Sequence, residues 1–269
     1  VFGFRSPAET FPKVKEATVK ALQIDGQLAD AHQALGYCKL HYEWKWSEAE
    51  EELKTALQLN PNLSLAHSTY GSLFQSRGLL EEALAERRLA RRFDPLSPLV
   101  VANVGYPLYY QRRFDEAINE YRESLKLDPG FSWGHLWIGQ AYVQKRMYKE
   151  AIEEISQAVR LSKGDIRMLA TLGHAHAVSG NRPEALKQLS ELQRLSKERY
   201  VSPYFIAIVY VGLADDDIAL AWLEKAYEER HPNRLRRGSR EKSAERSRDG
   251  SERPTDIPTD RLTDRPTSH

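Results

Sequence analysis

Six alanines set the frame of this chain. Ala49, Ala83, Ala117, Ala151, Ala185 and Ala219 stand 34 residues apart, through five intervals without a slip. A fixed period of that length marks an array of helical hairpins, each burying its apolar face on its neighbours. Two further columns keep the register. Seven residues on come Ala56, Ala90, Ser124, Ala158, Leu192 and Ala226. Twelve residues before the alanines come Tyr37, Gly71, Gly105, Gly139, Gly173 and Ala207, with Gly36 next to the offset Tyr37. Small residues at fixed points let two helices approach closely. Pro61, Pro95 and Pro129 close three of the units, after Asn60, Asp94 and Asp128, because proline cannot continue a helix.

Each unit therefore predicts a helix A, a short turn and a helix B. The pattern is clearest at 65–77 with 80–93, and at 131–145 with 148–161. Gly78 and Gly180 mark turns between helices. Phe114, Ala117, Ile118, Tyr121 and Leu125 fall on one face at the helical period. The run at 204–213 has the composition of a buried strand, but Ala207 and Ala219 hold it in register. It is expected to be a helix covered on both sides.

Leu35-Gly36, Ile138-Gly139 with Tyr142, Glu150-Ala151, and Leu172-Gly173 with Glu184-Ala185 resemble the tetratricopeptide repeat family. The resemblance runs over about residues 1 to 230 and implies an all-α, right-handed superhelix of 34-residue repeats. Residues 1–26 are expected to be a partial repeat, the stub of a helix A at 1–4 and a helix B at 8–25. Residues 27–230 give six repeats. Residues 231–269 hold Arg, Ser, Thr, Asp and Pro and almost nothing apolar. Such a tail cannot bury enough surface to offset its ordering entropy, so the expectation is disorder, or the product of a shifted reading frame. With no initiator methionine, the chain is expected to be a fragment of a longer one or an incomplete gene model. Glu43-Trp44-Lys45-Trp46 resembles a turn of bacterial arrays that accompany signalling domains, and its aromatic pair is expected to staple that turn to the next repeat.

Charge and composition narrow the partners. The formal net charge is +1, and the tail carries 10 Lys and Arg against 7 Asp and Glu, leaving −2 for residues 1–230. A near-neutral array makes no case for nucleic acid within this segment. No apolar run approaches a membrane span. Cys38, alone, excludes an internal disulfide or a cysteine zinc site and fits a reducing compartment, so a cytoplasmic location is expected.

Catalysis finds no foothold. His32, His67 and His135 recur at one repeat position and are expected to pack between helices. His174 and His176 point to different faces of one helix and cannot share an ion. There is no His-Glu-x-x-His, no phosphate loop after a strand and no nucleophile elbow. The expectation is no enzyme, no cofactor and no metal. Arg87, Arg88, Arg91 and Arg92, near Arg77 and Arg112-Arg113, form a basic cluster on one helix B; the resemblance puts it on the convex side, beside Glu81, Glu82 and Glu86.

In the family it resembles, helix A lines the concave face. Carried over position by position, that implies a groove with Asn103, Tyr106, Tyr110, Trp133, Trp137, Gln140, Gln144, Arg167 and His174 as partner-binding residues. Trp133, Trp137, Gln140 and Gln144 share one helical face, as do Asn103, Tyr106 and Tyr110. Aromatics give apolar area at low entropic cost, and amides bond a peptide backbone. Pro107 is expected to kink its helix beside this cluster. The family's clamp for C-terminal carboxylates is not reproduced: its positions hold Ser68, Ser72, Asn103, Trp133 and Trp137, and only Asn103 matches. The expected function is a non-catalytic scaffold that binds a protein or peptide segment, an extended strand or a helix. The alternative is the repeat portion of a larger kinase, cyclase or winged-helix regulator. Self-association through the uncapped last helix, with Trp222, Leu223 and Tyr227, is a third reading.

Overall fold

A computed structural model describes residues 7–230. The expected stub at 1–4 and the tail at 231–269 lie outside the described residues. Six A/B pairs follow one another: α2 (Ala29–Cys38) with α3 (Trp46–Leu59), α4 (Ser64–Ser76) with α5 (Leu80–Phe93), and α6 (Pro98–Asn103) plus α7 (Gly105–Tyr110) with α8 (Phe114–Leu127). Then come α9 (Ser132–Gln144) with α10 (Tyr148–Leu161), α11 (Ile166–Val178) with α12 (Arg182–Ser196), and α13 (Pro203–Gly212) with α14 (Asp216–Arg230). Before them α1 (Pro7–Ile24) packs on α2. No strand occurs among the described residues.

The small columns are the contact points of the hairpins. Ala49, Ala83, Ala117, Ala151 and Ala185 are all fully buried, and so are Ala56, Ala90, Ser124, Ala158 and Leu192. In the glycine column, a Cβ on Gly105 would run into the Tyr121 ring and one on Gly139 into Ile155. Gly36, not the Tyr37 assigned from the sequence, holds this position in the first full repeat, because its missing Cβ makes room for Leu53. The one-residue offset comes from a π-helical turn at Lys39–Glu43 that ends at Trp44 in the left-handed region.

That left-handed residue is itself a column. Trp44, Gly78, Arg112, Arg146, Gly180 and Ala214 all have positive φ, and they too stand 34 residues apart. Each ends a helix A. In five of the six repeats the next N–H reaches back five residues to a helix carbonyl, from Leu79 to Phe74, Arg113 to Leu108, Met147 to Tyr142, Asn181 to His176 and Asp215 to Tyr210. This is a Schellman end, which bonds carbonyls the helix would leave open. Only Gly78 and Gly180 announced it in the sequence.

The recurring histidines do more than pack. His32, His67 and His135 bond through Nδ1 to Glu52, Glu86 and Glu154 on their own helix B, at 2.7, 2.6 and 2.7 Å. Through Nε2 they meet the carbonyls of Gly26, Pro61 and Pro129 at the preceding loop. Each imidazole thus ties three segments of one repeat together.

Helix A of the third repeat is interrupted. Pro107 has no N–H to offer Asn103, and Val104 turns its own N–H to Val101 at 3.2 Å. Val104 keeps helical dihedrals, so α6 and α7 are parted by a break in hydrogen bonding rather than a sharp bend. The 204–213 run is helical as α13, packed on α11 and α14, but Tyr204 and Val211 are half exposed, so one flank is open.

The A helices of successive repeats touch, from α2 to α4, α4 to α6, α6 to α9, α9 to α11 and α11 to α13, whereas the B helices of successive repeats make no comparable contact. Elements that crowd on one side and spread on the other force a curve, so the array bends towards its A layer. The bend brings α14 against α1, with the Trp44 and Tyr227 rings 6.4 Å apart.

Candidate partner-binding groove

The expected groove residues all lie on the A layer, but they are not equivalent. Trp137 is only 5% exposed. Its ring meets Tyr106 edge-on at 4.9 Å, Phe131 at 5.9 Å, Tyr121 at 5.7 Å and Trp133 at 5.6 Å. It is the floor of the cluster and joins α7, α8 and α9 in one core. Trp133 lies above it, half buried, with the Arg167 guanidinium 4.2 Å from its ring centre. That is a cation–π contact across two repeats.

Arg167 is held in place from below. Its Nε and Nη2 donate to the two carboxylate oxygens of Asp165 at 3.0 and 2.7 Å, while Asp165 also caps α11 by accepting the Arg167 backbone N–H. Burial works to raise the Asp165 carboxyl, and the Arg167 bonds outweigh it, holding the group below its ordinary value. The stacked guanidinium is therefore a fixed, already neutralised surface.

Tyr110 and Gln144 are the exposed rim, with Tyr110 at 56%. Tyr109 braces Tyr110 edge-on at 5.6 Å. Burial pushes the Tyr109 hydroxyl up, and Gln144 beside it works against that shift. Asn103, Tyr106 and Gln140 are half buried between rim and floor. His174 is half buried like them. It lies between α11 and α13, where Gly212 lets the helices close until a Cβ there would touch it, and burial pulls its imidazole below the ordinary value.

The basic cluster on α5 dissolves. Arg87 turns inward and is 7% exposed, while Arg91 pairs with Glu120 on the next helix B at 2.6 Å and Arg77 with Glu50 at 2.6 Å. Of the acids expected beside it, Glu86 bonds His67 and Glu81 bonds Gln111. Trp44 and Trp46 are both near 40% exposed and, with Leu40, His41 and Ser76 of α4, line an open hollow. Cys38 is buried and free. Among the described residues no group of three His, Cys, Asp or Glu could hold a metal ion, and no helix is long and apolar enough to cross a membrane.

A curved stack of helical hairpins, with aromatics and amides on the inner layer, defines a repeat scaffold of the kind that binds other proteins. Two family models agree on which. A TPR repeat model matches residues 105–146, and a tetratricopeptide repeat model matches residues 134–165. Residues 105–165 thus hold tetratricopeptide repeats, and the 34-residue register carries the same pattern beyond the matched stretch. No curated protein matches the sequence. Solved structures do. The Cut9–Hcn1 hetero-tetramer of the APC/C aligns at TM-score 0.63 and 19% identity, over 84% of this chain and 44% of that one. PilF of Pseudomonas aeruginosa aligns at TM-score 0.53 and 22% identity, over 81% of this chain and 97% of that one. At such identities the likeness is one of fold.

Proposed function

We propose that this array is a non-catalytic scaffold that holds a segment of a partner protein along its A layer, with Tyr106, Tyr110, Trp133, Gln140 and Gln144 as the contact surface. One observation carries the reading. The Trp133–Trp137–Tyr106 cluster has a buried floor, and its upper residues are left part exposed rather than covered by the next repeat. A rigid aromatic surface with amides at its edge suits an extended peptide or a helix. Trp137 supports this surface from beneath, Asn103 lies beside it, and Arg167 extends it. Cytoplasmic location and attachment to a larger bacterial regulator belong to the same proposal, resting on the single free Cys38 and the Trp44–Trp46 turn.

A photo-crosslinking residue at position 110 or 144, compared with one at the exposed Arg88 on α5, tests the reading and recovers the partner. Adducts at 110 and 144 and none at 88 are expected. Adducts at 88 alone would contradict it.

A further inference from the structure

Arg87 occupies a position built for an apolar side chain. In the 34-residue register its equivalents are Leu53, Tyr121, Ile155, Leu189 and, in the last helix, Leu223; the first four are buried. Leu53, Tyr121 and Ile155 fill the hollow under the glycine of their helix A, and Arg87 does the same under Gly71. It is longer than its counterparts, so its guanidinium continues past Gly71 to the A layer. There Nη2 donates to Ser72 Oγ at 2.8 Å. Nε is buried with no partner. Among the described residues no carboxylate pairs with it, and the ionisable groups that act on it are the phenols of Tyr106 and Tyr121. Ser68, one turn before Ser72, also buries its Oγ without a partner. Desolvation draws the guanidinium down to about 10, so it stays charged at neutral pH.

A buried cation without a counter-ion is costly, and leucine or tyrosine in the same position would cost nothing of the kind. The arrangement makes sense once an anion completes it. The geometry points to a carboxylate-binding subsite at the A layer of the second repeat, formed by Arg87 with Ser68 and Ser72 and bounded by Tyr106, that takes one carboxylate of the partner segment. It rests on the groove reading above and adds the chemistry of the ligand. A planar carboxylate matches the fork of one guanidinium. A phosphate dianion calls for more positive charge than one Arg supplies, and Arg167 at the aromatic cluster is already paired with Asp165. Ser68 and Ser72 stand at two positions of the family's known clamp without its Lys and Asn, and the cation here comes instead from Arg87 on α5, a position that clamp does not use.

The test uses the full chain and three acetylated hexapeptides. One carries a central Glu and an amidated end. The second carries Gln and a free C-terminus, and the third carries Gln and an amidated end. Each is titrated while the Arg87 Nε–H resonance is followed by NMR, with inorganic phosphate as a fourth probe. The Glu peptide, the free-ended peptide or both should move that resonance, and which one moves it names the source of the carboxylate. The neutral peptide should not. Arg87→Leu should bind at least about tenfold more weakly, as loss of a charge-assisted bond implies, with Tm equal to wild type or higher. A resonance that no carboxylate peptide moves, an equal response to the neutral peptide, a stronger response to phosphate, or unchanged peptide affinity in Arg87→Leu overturns the inference. If crosslinks at 110 and 144 persist beside such a result, the groove reading stands and only the subsite falls. If they are lost too, both fall.

Discussion

At the scale of single residues, smallness and handedness do the organising. The Tyr121 ring lies where a Cβ on Gly105 would go, so Gly105→Ala must displace that ring inside a closed core. Overpacking of this kind costs about 1–3 kcal/mol. Urea unfolding should show a loss in that range, and an unchanged midpoint would mean that the hairpin contact is softer than described. Ala214 makes the opposite case. It holds φ 57 at a helix end where its equivalents Gly78 and Gly180 hold 78 and 84. A left-handed L-residue costs roughly 1–2 kcal/mol, partly offset by the extra entropy of a flexible glycine. Ala214→Gly should therefore raise stability by about 0.5–1 kcal/mol in the same titration, and a loss would contradict the turn geometry. The alanine and glycine columns were legible in the sequence because small size is their function. The left-handed column was legible only at its glycines. At Arg112 and Arg146 the repeat imposes the conformation on residues that do not prefer it.

At the scale of elements, the separation of floor from rim was not legible. Helical spacing put Trp133 and Trp137 on one face, and both are there. The same face also packs on α7 and α8, so periodicity could not tell the buried ring from the half-exposed one. Arg87 was misplaced for a related reason. Beside Arg88, Arg91 and Arg92 its charge suggests a surface, while its register position, shared with Leu53, Tyr121 and Ile155, says core. The partial burial of His174 was not legible, because it comes from the close approach of α11 and α13 at Gly212, and that approach is tertiary. Its burial has a consequence in pH. The folded pKa lies below the ordinary 6.5, so the unfolded chain takes up the proton first. Stability is then full above about 6.5 and drains as pH falls through the lower, folded value. His176 is shifted the same way by burial and adds to the slope. Thermal midpoints recorded from pH 7 to pH 5 should fall, and His174→Gln should flatten part of that fall. An identical pH slope in the variant would assign the loss to other groups.

At the scale of the whole array, the architecture was legible, because a strict period leaves few ways to bury one face of every hairpin. The direction of the curve follows from which layer touches. Successive A helices meet and successive B helices spread, which puts the aromatic cluster on the inner side. The contact of α14 with α1 was not legible, since it joins the two ends of the described array, and nothing in a repeat pattern records how far the stack turns. The last helix still exposes Ile218, Leu220, Leu223 and Tyr227, although Tyr227 meets Trp44. The inner side, with its fixed aromatics and its unpaired Arg87, is the surface on which the functional account rests. Hydrogen–deuterium exchange of the full chain, alone and with the partner recovered by crosslinking, tests that directly. The account predicts that binding protects the A helices α4, α7, α9 and α11 and leaves α5, α8 and α10 unchanged. Protection confined to the B helices would contradict it.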